Sequence, residues 1–423
     1  MTVAEQEAER EERAGQQGKF GKKSLINLLG PAFVASIAYV DPGNVAANLS
    51  AGAEFGYLLV WVLVAANLMA VLVQYLSAKL GIVTDHSLPE LLGLRMKRGP
   101  RLAYWGQAEL VAAATDLAEV IGGAIALKIL FDLPLLVGGV IVGAVSMGLL
   151  LLQGTGRQRR FEFVIMGLLL IITIGFMAGS FVSPIDWHQV GGGLLPQFEG
   201  QQSVLLAASM LGATVMPHAI YLHSSLVKDR HGVGHGTATK RRLLHASRVD
   251  VVLGLFIAGS VNIAMLLMAA AALPGIPGTD TIEGAAAAIT EHLGQGIGIV
   301  FAVGLLASGL ASTSVGSYAG ATIMAGLLKL RIPILARRLV TLIPALLILG
   351  SGFDPTRALI LSQVLLSIGI PFALIPLVKL TSSRMLMGEF VNPVWLRFAA
   401  IGVVAVIVVL NVALVALTIT GSV

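Results

Sequence analysis

Two prolines in the middle of long apolar segments stand beside residues that can bind a cation. The first segment reads GPAFVASIAYVDPGNVAANL and carries Asp41 and Asn44 on either side of Pro42. The second reads LLAASMLGATVMPHAIYLHSSL and carries Met216 directly before Pro217. Proline inside a helix removes a hydrogen bond and clashes with the preceding turn. Freed carbonyls at membrane depth are tolerated only where they line a cavity or bind something, so both segments predict an interrupted helix with ligand atoms at the break.

The two interruptions correspond to each other. Aligning the two prolines sets Asp41 against Met216 and Ala38 against Ala213. A single proline is more often an ordinary kink, but paired interruptions in matching halves of a membrane protein are typical of a transporter's binding site. We therefore predict that the two breaks together form one site.

The atoms at these breaks indicate which ion would bind. Asp41 and Asn44 are three residues apart and share a helix face, and the unwound turns add the carbonyls of Ala38 and Ala213. Oxygens alone would suit Mg²⁺, Ca²⁺ or Na⁺. The soft thioether of Met216 favours Mn²⁺, Fe²⁺ or heavier ions instead. The chain has 13 methionines, so packing is the alternative role, but the position opposite an intramembrane aspartate favours a ligand.

Composition shows what kind of element must carry these residues. Of 423 residues, 56% are hydrophobic and only 12% are charged, whereas soluble proteins have about a quarter of their residues charged. The apolar residues form long blocks, and a helix needs roughly 20 of them to span a bilayer. The short alternating segments of a membrane barrel are missing from the sequence. There is no cysteine, which excludes disulfides and thiolate metal ligands. We predict an all-α membrane protein.

The apolar blocks and the charges between them define a topology. The predicted spans are residues 24–50, 57–80, 103–128, 133–153, 161–182, 203–227, 249–273, 295–326, 335–350, 357–380 and 398–420. With these eleven spans, every Lys and Arg except Lys128 and Arg357 falls on one side. The positive-inside rule places that side, together with the N-terminus, in the cytoplasm and places the C-terminus outside the cell. The sequence therefore predicts a multi-pass protein of the plasma membrane. The net charge of +5 therefore needs no nucleic-acid partner.

The positions of the breaks also predict how the domain is built. Interruptions in spans one and six indicate two five-helix inverted repeats, 24–182 and 203–380, followed by an extra helix at 398–420. Residues 1–23 are charged and without an apolar stretch, and are predicted to be a disordered cytoplasmic tail.

Titratable residues inside the spans are candidates for proton transfer. The third span carries Glu109, Asp116 and Glu119 on one broad stripe, and buried acids in lipid are costly unless paired or hydrated. His218 follows the second break, and histidine is the side chain that titrates nearest neutral pH. The alternative is a static polar network that only holds helices together. For Glu109 this structural role is at least as well supported as a role in proton transfer. His223 lies on another helix face, where it lines an inner vestibule or only caps a carbonyl.

Several motifs resemble one family. DPGN at 41–44 and MPH at 216–218, together with QAELVAAATDLAE, IYLHS and LSQV, are similar to the Nramp (natural resistance-associated macrophage protein) family of divalent-metal transporters, in its bacterial manganese branch. The similarity runs from about residue 24 to the end. It implies a LeuT-type fold with alternating access and proton-coupled import of Mn²⁺ or Fe²⁺, and also Cd²⁺ or Co²⁺. It implies no prosthetic group, and no obligate protein partner is evident beyond the lipid bilayer.

The resemblance also assigns roles to individual residues. It implies metal ligation by Ala38, Asp41, Asn44, Ala213 and Met216, with Gln363 joining in some states. It implies a proton route of Asp41, His218, Glu119 and Asp116, with Arg338 pairing with Asp116.

Two rival transporters stay open at this point. A sodium-coupled organic-solute carrier of the same fold would use hydroxyls such as Ser308, Ser312 and Thr313, although Asp41 would repel a substrate carboxylate. A Mg²⁺-selective relative should lack Met216. The sequence contains no HExxH, nucleophile elbow or P-loop, so we expect a transporter and not an enzyme.

Overall fold

The protein folds entirely into helices. A computed structural model describes residues 28–151, 158–279, 281–330 and 332–419, and within these ranges no strand occurs, which confirms the predicted all-α class. The predicted tail 1–23 lies outside the described residues. The helices are α1 (Pro31–Ser36), α2 (Pro42–Phe55), α3 (Val60–Thr84), α4 (Leu88–Arg95), α5 (Arg98–Phe131), α6 (Leu135–Leu150), α7 (Gln158–Val182), α8 (Trp187–Gly192), α9 (Gly200–Thr214), α10 (Pro217–His231), α11 (Thr237–Ala272), α12 (Ile282–Leu293), α13 (Gln295–Leu328), α14 (Ile334–Ser351), α15 (Pro355–Thr381), α16 (Arg384–Met387) and α17 (Val394–Ile419).

Many of these helices are able to cross a bilayer. Among the described residues, eight candidate spans are long and apolar enough, namely α3, α5, α7, the pair α9–α10, α11, α13, α15 and α17. Two shorter apolar helices, Pro31–Val40 and Leu135–Leu150, and helix α14 lie where the sequence predicts spans one, four and nine. The total of eleven spans and the sides on which the termini lie stay predictions.

Helix ends differ from the apolar blocks that predicted them. Helix α11 begins twelve residues before the predicted block 249–273, at Thr237, because helical hydrogen bonding continues through polar residues that a hydropathy scan leaves out. Four short helices, α4, α8, α12 and α16, were not predicted. Helix α4 starts at a capping box in which Ser87 accepts from the Glu90 N–H at 3.4 Å and the Glu90 carboxylate accepts from the Ser87 N–H at 2.7 Å.

The bundle is built around helix α13, which packs against α5 and α7. At Gly309 a Cβ would lie 2.9 Å from both the Glu119 carbonyl oxygen and the Gly123 nitrogen. Small residues at such crossings let membrane helices approach closely. The outer surface instead exposes large apolar side chains, as expected of a lipid-facing surface, among them Val140, Leu347 and Val409.

Both predicted helix interruptions are present. Helix α1 passes into the 3-10 segment Ile37–Val40, and the chain is extended at Asp41 (ψ 168°) before Pro42 begins α2. In the second half, Met216 is extended (ψ 123°) and Pro217 begins α10. Proline is favoured at the first position of a helix because its missing N–H has no partner to lose there. Each proline therefore starts a new half-helix and does not merely kink a continuous one.

Hydroxyls on α13 hold the first break in place. Ser308 donates to the Val40 carbonyl at 2.6 Å, and Ser312 donates to the Ile37 carbonyl at 3.4 Å. These carbonyls belong to the 3-10 segment, where regular helical hydrogen bonding stops. Two of the hydroxyls that the sequence offered as sodium ligands thus bind backbone oxygens of the break.

The first half-helix is also fastened at its N-terminal end. The Asp250 carboxylate on α11 accepts hydrogen bonds from the Gly30 N–H at 3.0 Å and the Ala32 N–H at 2.9 Å. Glu162 on α7 lies against Gly30, and its Oε2 is 3.5 Å from Nε of Arg230 at the end of α10. A carboxylate on the free N–H groups of a helix start stabilises that start. Helix α1 is therefore clamped between α7, α10 and α11.

Candidate metal site

Asp41 and Asn44 form the first half of the site. Asp41 caps the start of α2, and its Oδ1 accepts from the Asn44 N–H at 2.9 Å and from Asn44 Nδ2 at 2.6 Å. The other carboxylate oxygen, Oδ2, is buried and has no hydrogen-bond partner within the described ranges. A buried carboxylate with a spare oxygen is costly unless a cation or a proton reaches it, which makes this oxygen the natural anchor for a metal ion.

The second break meets the first through one hydrogen bond. Asn44 Nδ2 donates to the Ala213 carbonyl oxygen at 2.8 Å. That carbonyl is in the last turn of α9, where helix carbonyls lack intrahelical donors. Met216 caps α10 and is fully buried, and Ala38 is buried in the 3-10 segment three residues before Asp41. The structure thus brings Asp41, Asn44 and Ala213 into direct contact and places Met216 and Ala38 within the same two breaks.

Gln363 reaches the site from α15. A Cβ at Gly43 would overlap the Gln363 amide and lie 3.1 Å from its Cγ, so the Gln363 side chain lies directly against Gly43. Its Oε1 is buried without a hydrogen-bond partner among the residues that the structure describes. The absence of a side chain at Gly43 is therefore what admits the Gln363 amide beside Asp41.

The donor set determines what the site can do. Asp41 Oδ1 and the Ala213 carbonyl both accept from the same Asn44 NH₂ group, so a cation that binds either of these two oxygens must replace the hydrogen bond that it accepts. In the part of the chain described, no group of three or more His, Cys, Asp or Glu residues could hold a metal ion. One carboxylate with neutral oxygens and a thioether binds less tightly than a multi-carboxylate cage, which suits an ion that must be released.

A buried ion pair lies deeper along α5. Asp116 Oδ1 is 3.2 Å from Nη1 of Arg338 at the start of α14, and both side chains are almost fully buried. The two groups interact by charge, without hydrogen-bond geometry. Removing one member of a buried pair leaves the other charge uncompensated, so each of the two depends strongly on the other.

Glu119 and His218 lie close to this ion pair. The Glu119 carboxylate rests against Gly316 on α13, and the charges acting on it are those of Asp116, Arg338 and Asp41. The Nδ1 atom of His218 is 3.3 Å from the Thr115 hydroxyl. The structure thus brings acidic and basic groups of α5, α10 and α14 close to the first break. Their part in proton transfer remains a prediction.

Glu109 has a partner that the sequence reasoning missed. Its Oε1 is 2.7 Å from Nη2 of Arg337, the neighbour of Arg338. The Arg337 guanidinium in turn fills the space over Gly320 on α13. The available signal was the charge itself, with two adjacent arginines at the start of α14 and acids on one stripe of α5. The static alternative for Glu109 gains support from this contact.

His223 belongs to a separate polar cluster. Its Nδ1 lies 2.8 Å from Gln74 Oε1, and Gln74 Nε2 donates to the Tyr39 hydroxyl at 2.6 Å. The Tyr39 carbonyl accepts from Asn262 at 2.6 Å. Of the two alternatives for His223, the structure shows contact with a carbonyl oxygen, that of the Gln74 side-chain amide. The cluster ties α10, α3 and α11 to the first break and does not include His218.

The family model for natural resistance-associated macrophage protein-like proteins matches residues 32–417. The chain belongs to the Nramp family. This confirms the resemblance read from DPGN and MPH and places the chain among membrane transporters and not among enzymes.

Nramp relatives match over nearly the whole chain. The "Divalent metal cation transporter MntH" of Mycobacterium tuberculosis is 61% identical over 410 residues, covering 96% of this chain and 95% of that relative. The protein of the same name from Bacillus subtilis is 44% identical over 399 residues, covering 93% of each.

Solved structures agree on the Nramp fold. The Eremococcus coleocola manganese transporter matches with a TM-score of 0.84 at 32% identity, covering 93% of this chain and 87% of that one. Mhp1, a nucleobase-cation-symport-1 family transporter, matches with a TM-score of 0.54 at 16% identity, covering 94% and 90% respectively. The second likeness concerns the fold alone.

Proposed function

We propose that this Nramp protein imports divalent transition-metal ions, Mn²⁺ or Fe²⁺ and also Cd²⁺ or Co²⁺, across the plasma membrane with protons as co-substrate. The observation that carries the proposal is the direct contact between the two breaks, where Asn44 bridges Asp41 and the Ala213 carbonyl beside Met216. Its relatives named divalent metal cation transporters support the same conclusion.

The ligand chemistry supports a transition metal as the preferred substrate. Asp41 supplies one negative charge, and Asn44, Gln363 and the carbonyls supply neutral oxygens. The thioether of Met216 adds a soft ligand, from which Mn²⁺, Fe²⁺ and Cd²⁺ gain more than Ca²⁺ or Mg²⁺. A Mg²⁺-selective transporter has no use for this sulfur.

The half-helices support the proposal of alternating access. Helix α1 is only six residues long and is fastened at its start by Asp250, while its end passes into the 3-10 segment. A short half-helix held by a few polar contacts can move as a unit when they break. We propose that release of these contacts opens the site toward the side that carries the N-terminus, which the positive-inside rule places in the cytoplasm.

Proton coupling is assigned to the acids and to the histidine around the site. Protonation of Asp41 competes with metal binding at the same oxygens, while Glu119 and His218 offer the next groups along α5 and α10. Asp116 receives the proton farther on, where Arg338 balances its charge. The metal ion and the proton thus both bind the Asp41 carboxylate and then leave it by different paths.

The proposal is tested by uptake into proteoliposomes. The purified protein should take up Mn²⁺ faster when an inward proton gradient is imposed, and the interior should acidify as Mn²⁺ enters. Asp41→Ala should abolish both signals. Glu291→Gln also removes one negative charge, but at an exposed position on α12, and it should leave both signals unchanged. Uptake that depends on an inward Na⁺ gradient and not on protons would favour the sodium-coupled carrier instead.

A further inference from the structure

A cavity of about 370 Å³ lies beyond the metal site, at the ends of α2 and α9 that point away from the breaks. Its lining comes from α2, α9, the start of α15 and the connection between α11 and α12. Helices α2, α9 and α15 are also the ones that carry Asn44, Ala213 and Gln363. The cavity is therefore walled by the same elements as the site, on the side that the charge pattern places outside the cell.

One face of α9 connects the cavity to the site. Gln202 and Leu206 line the cavity, and Ser209 and Ala213 follow at intervals that keep them on the same face of the helix. From Gln202 to Ala213 the helix rises about 16 Å. The Ser209 hydroxyl is buried and has no hydrogen-bond partner within the described residues. The Ser209 hydroxyl is therefore a polar atom in the otherwise apolar stretch of α9 between the cavity and the metal site.

The chemistry of the lining favours a cation. Among the lining residues that the structure describes, Glu54 is the only carboxylate and there is neither Lys nor Arg, and the Gln202 amide is within reach of Glu54. Ser50 and Thr279 add hydroxyls. The Glu54 side chain is solvent-exposed, so an ion here keeps most of its water. Oxygen donors without sulfur suit hydrated divalent ions in general.

We propose that Glu54, with Gln202, holds a hydrated divalent cation as the first stop on the way to Asp41. This outer site rests on the proposed function, since it has a role only if metal ions enter from this side. It concentrates divalent ions at the mouth of the route and leaves the choice among them to the deeper site, where Met216 lies. Its loss should therefore raise the KM for Mn²⁺ and leave the maximal rate and the metal preference nearly unchanged.

The first experiment compares Glu54→Gln with the control Glu291→Gln, which removes the same charge from an exposed position that does not line the cavity. Initial rates of Mn²⁺ uptake are measured as a function of Mn²⁺ concentration. Glu54→Gln should raise KM by roughly three- to tenfold at low ionic strength, and the difference should shrink at high salt because an exposed charge is screened. Glu54→Asp should restore most of the parent KM, which separates charge from packing.

The second experiment detects binding without transport. The chain has no cysteine, so Ser50→Cys can be introduced into the cavity lining and its rate of modification by a thiol reagent measured. In the Asp41→Ala background, Mn²⁺ should still slow this modification. Adding Glu54→Gln should remove the protection.

The outcomes separate the outer site from the proposed function. If the parent transports Mn²⁺ but Glu54→Gln changes KM no more than Glu291→Gln, the outer site is refuted and the proposed function stands. A lowered maximal rate at unchanged KM also refutes it, because it indicates a structural role. If the parent transports no divalent metal, both proposals are wrong. Protection of Ser50→Cys that persists in Glu54→Gln places the ion elsewhere and overturns the assignment to Glu54.

Discussion

Gly43→Ala tests whether Gln363 belongs to the metal site. A methyl group at Gly43 overlaps the Gln363 amide and lies 3.1 Å from its Cγ, whereas carbon atoms in contact need about 3.5–4.0 Å. The amide must therefore move by roughly 2 Å or leave the break by changing its rotamer. Gly43 is in the first turn of α2 and is not among the residues with positive φ, so alanine suits the backbone and even favours the helix. The strain is thus confined to the Gln363 side chain.

The expected result is a selective loss of metal affinity. Loss of a supporting ligand around a metal typically costs 10- to 100-fold in affinity, and one neutral oxygen should fall at the low end, about tenfold. Mn²⁺ binding is measured by calorimetry on Gly43→Ala, Gln363→Ala and the double variant. If Gly43→Ala acts by displacing the amide, the double variant should bind no more weakly than Gln363→Ala alone.

A matched control is available in the same chain. Gly167→Ala adds the same methyl group at a helical position with no atom within 4 Å and should leave Mn²⁺ binding unchanged. Additive losses in the Gly43/Gln363 double variant, or parent affinity in Gly43→Ala, would refute the placement of Gln363 at the site.

Three further variants address selectivity, coupling and access. Met216→Ala should weaken Cd²⁺ more than Mn²⁺ and let Ca²⁺ compete better for uptake, while an unchanged competition ratio in folded protein would show that the sulfur does not select. Asp116→Asn should leave Mn²⁺ binding near the parent value but weaken the pH dependence of uptake, and the unpaired Arg338 should cost about 3–5 kcal/mol of stability, measured by thermal unfolding. Uptake with the parent's full pH dependence would make Asp116 a purely structural partner. Asp250→Asn keeps one of the two hydrogen bonds to the start of α1, and the loss of the other should weaken the attachment of α1 by about 1 kcal/mol. A cysteine introduced at Ser36 should then react about fivefold faster with a thiol reagent, and an unchanged labelling rate would contradict this.

Local sequence signals predicted the breaks because their cause is local. Pro42 and Pro217 cannot continue a helix, and Asp41, Asn44 and Met216 lie within a few residues of them. The helix that carries each residue follows from chain position alone. This part of the site could therefore be read from the sequence before any tertiary contact was known.

Long-range pairing is what the residues alone could not supply, and the Asp116–Arg338 pair was expected only from the family resemblance. The contact between Glu109 and Arg337 joins residues 228 positions apart, and no spacing rule connects them. Gln74 and Asn262 stand in apolar segments without a motif, although polar side chains at membrane depth were a signal in themselves. Their roles depend on which helix faces Tyr39, and that follows from the packing of the whole bundle.

Helix boundaries and short helices were missed for a different reason. The apolar scan detects only the part of a helix that a membrane covers, so α11 extends past its predicted start into charged residues. The short helices α4 and α12 begin at Ser87 and Thr281, whose side chains cap them. Such caps are visible in the sequence, but a search for segments of about 20 apolar residues passes over them.

The central claim is that one divalent ion binds between the two breaks. Crystals of the protein soaked in Mn²⁺ should show their strongest anomalous peak within coordination distance of the Asp41 carboxylate and the Met216 sulfur, and this peak should vanish in Asp41→Ala. A stronger Mn²⁺ peak elsewhere in the protein, or none between the breaks at concentrations that saturate uptake, would contradict the account.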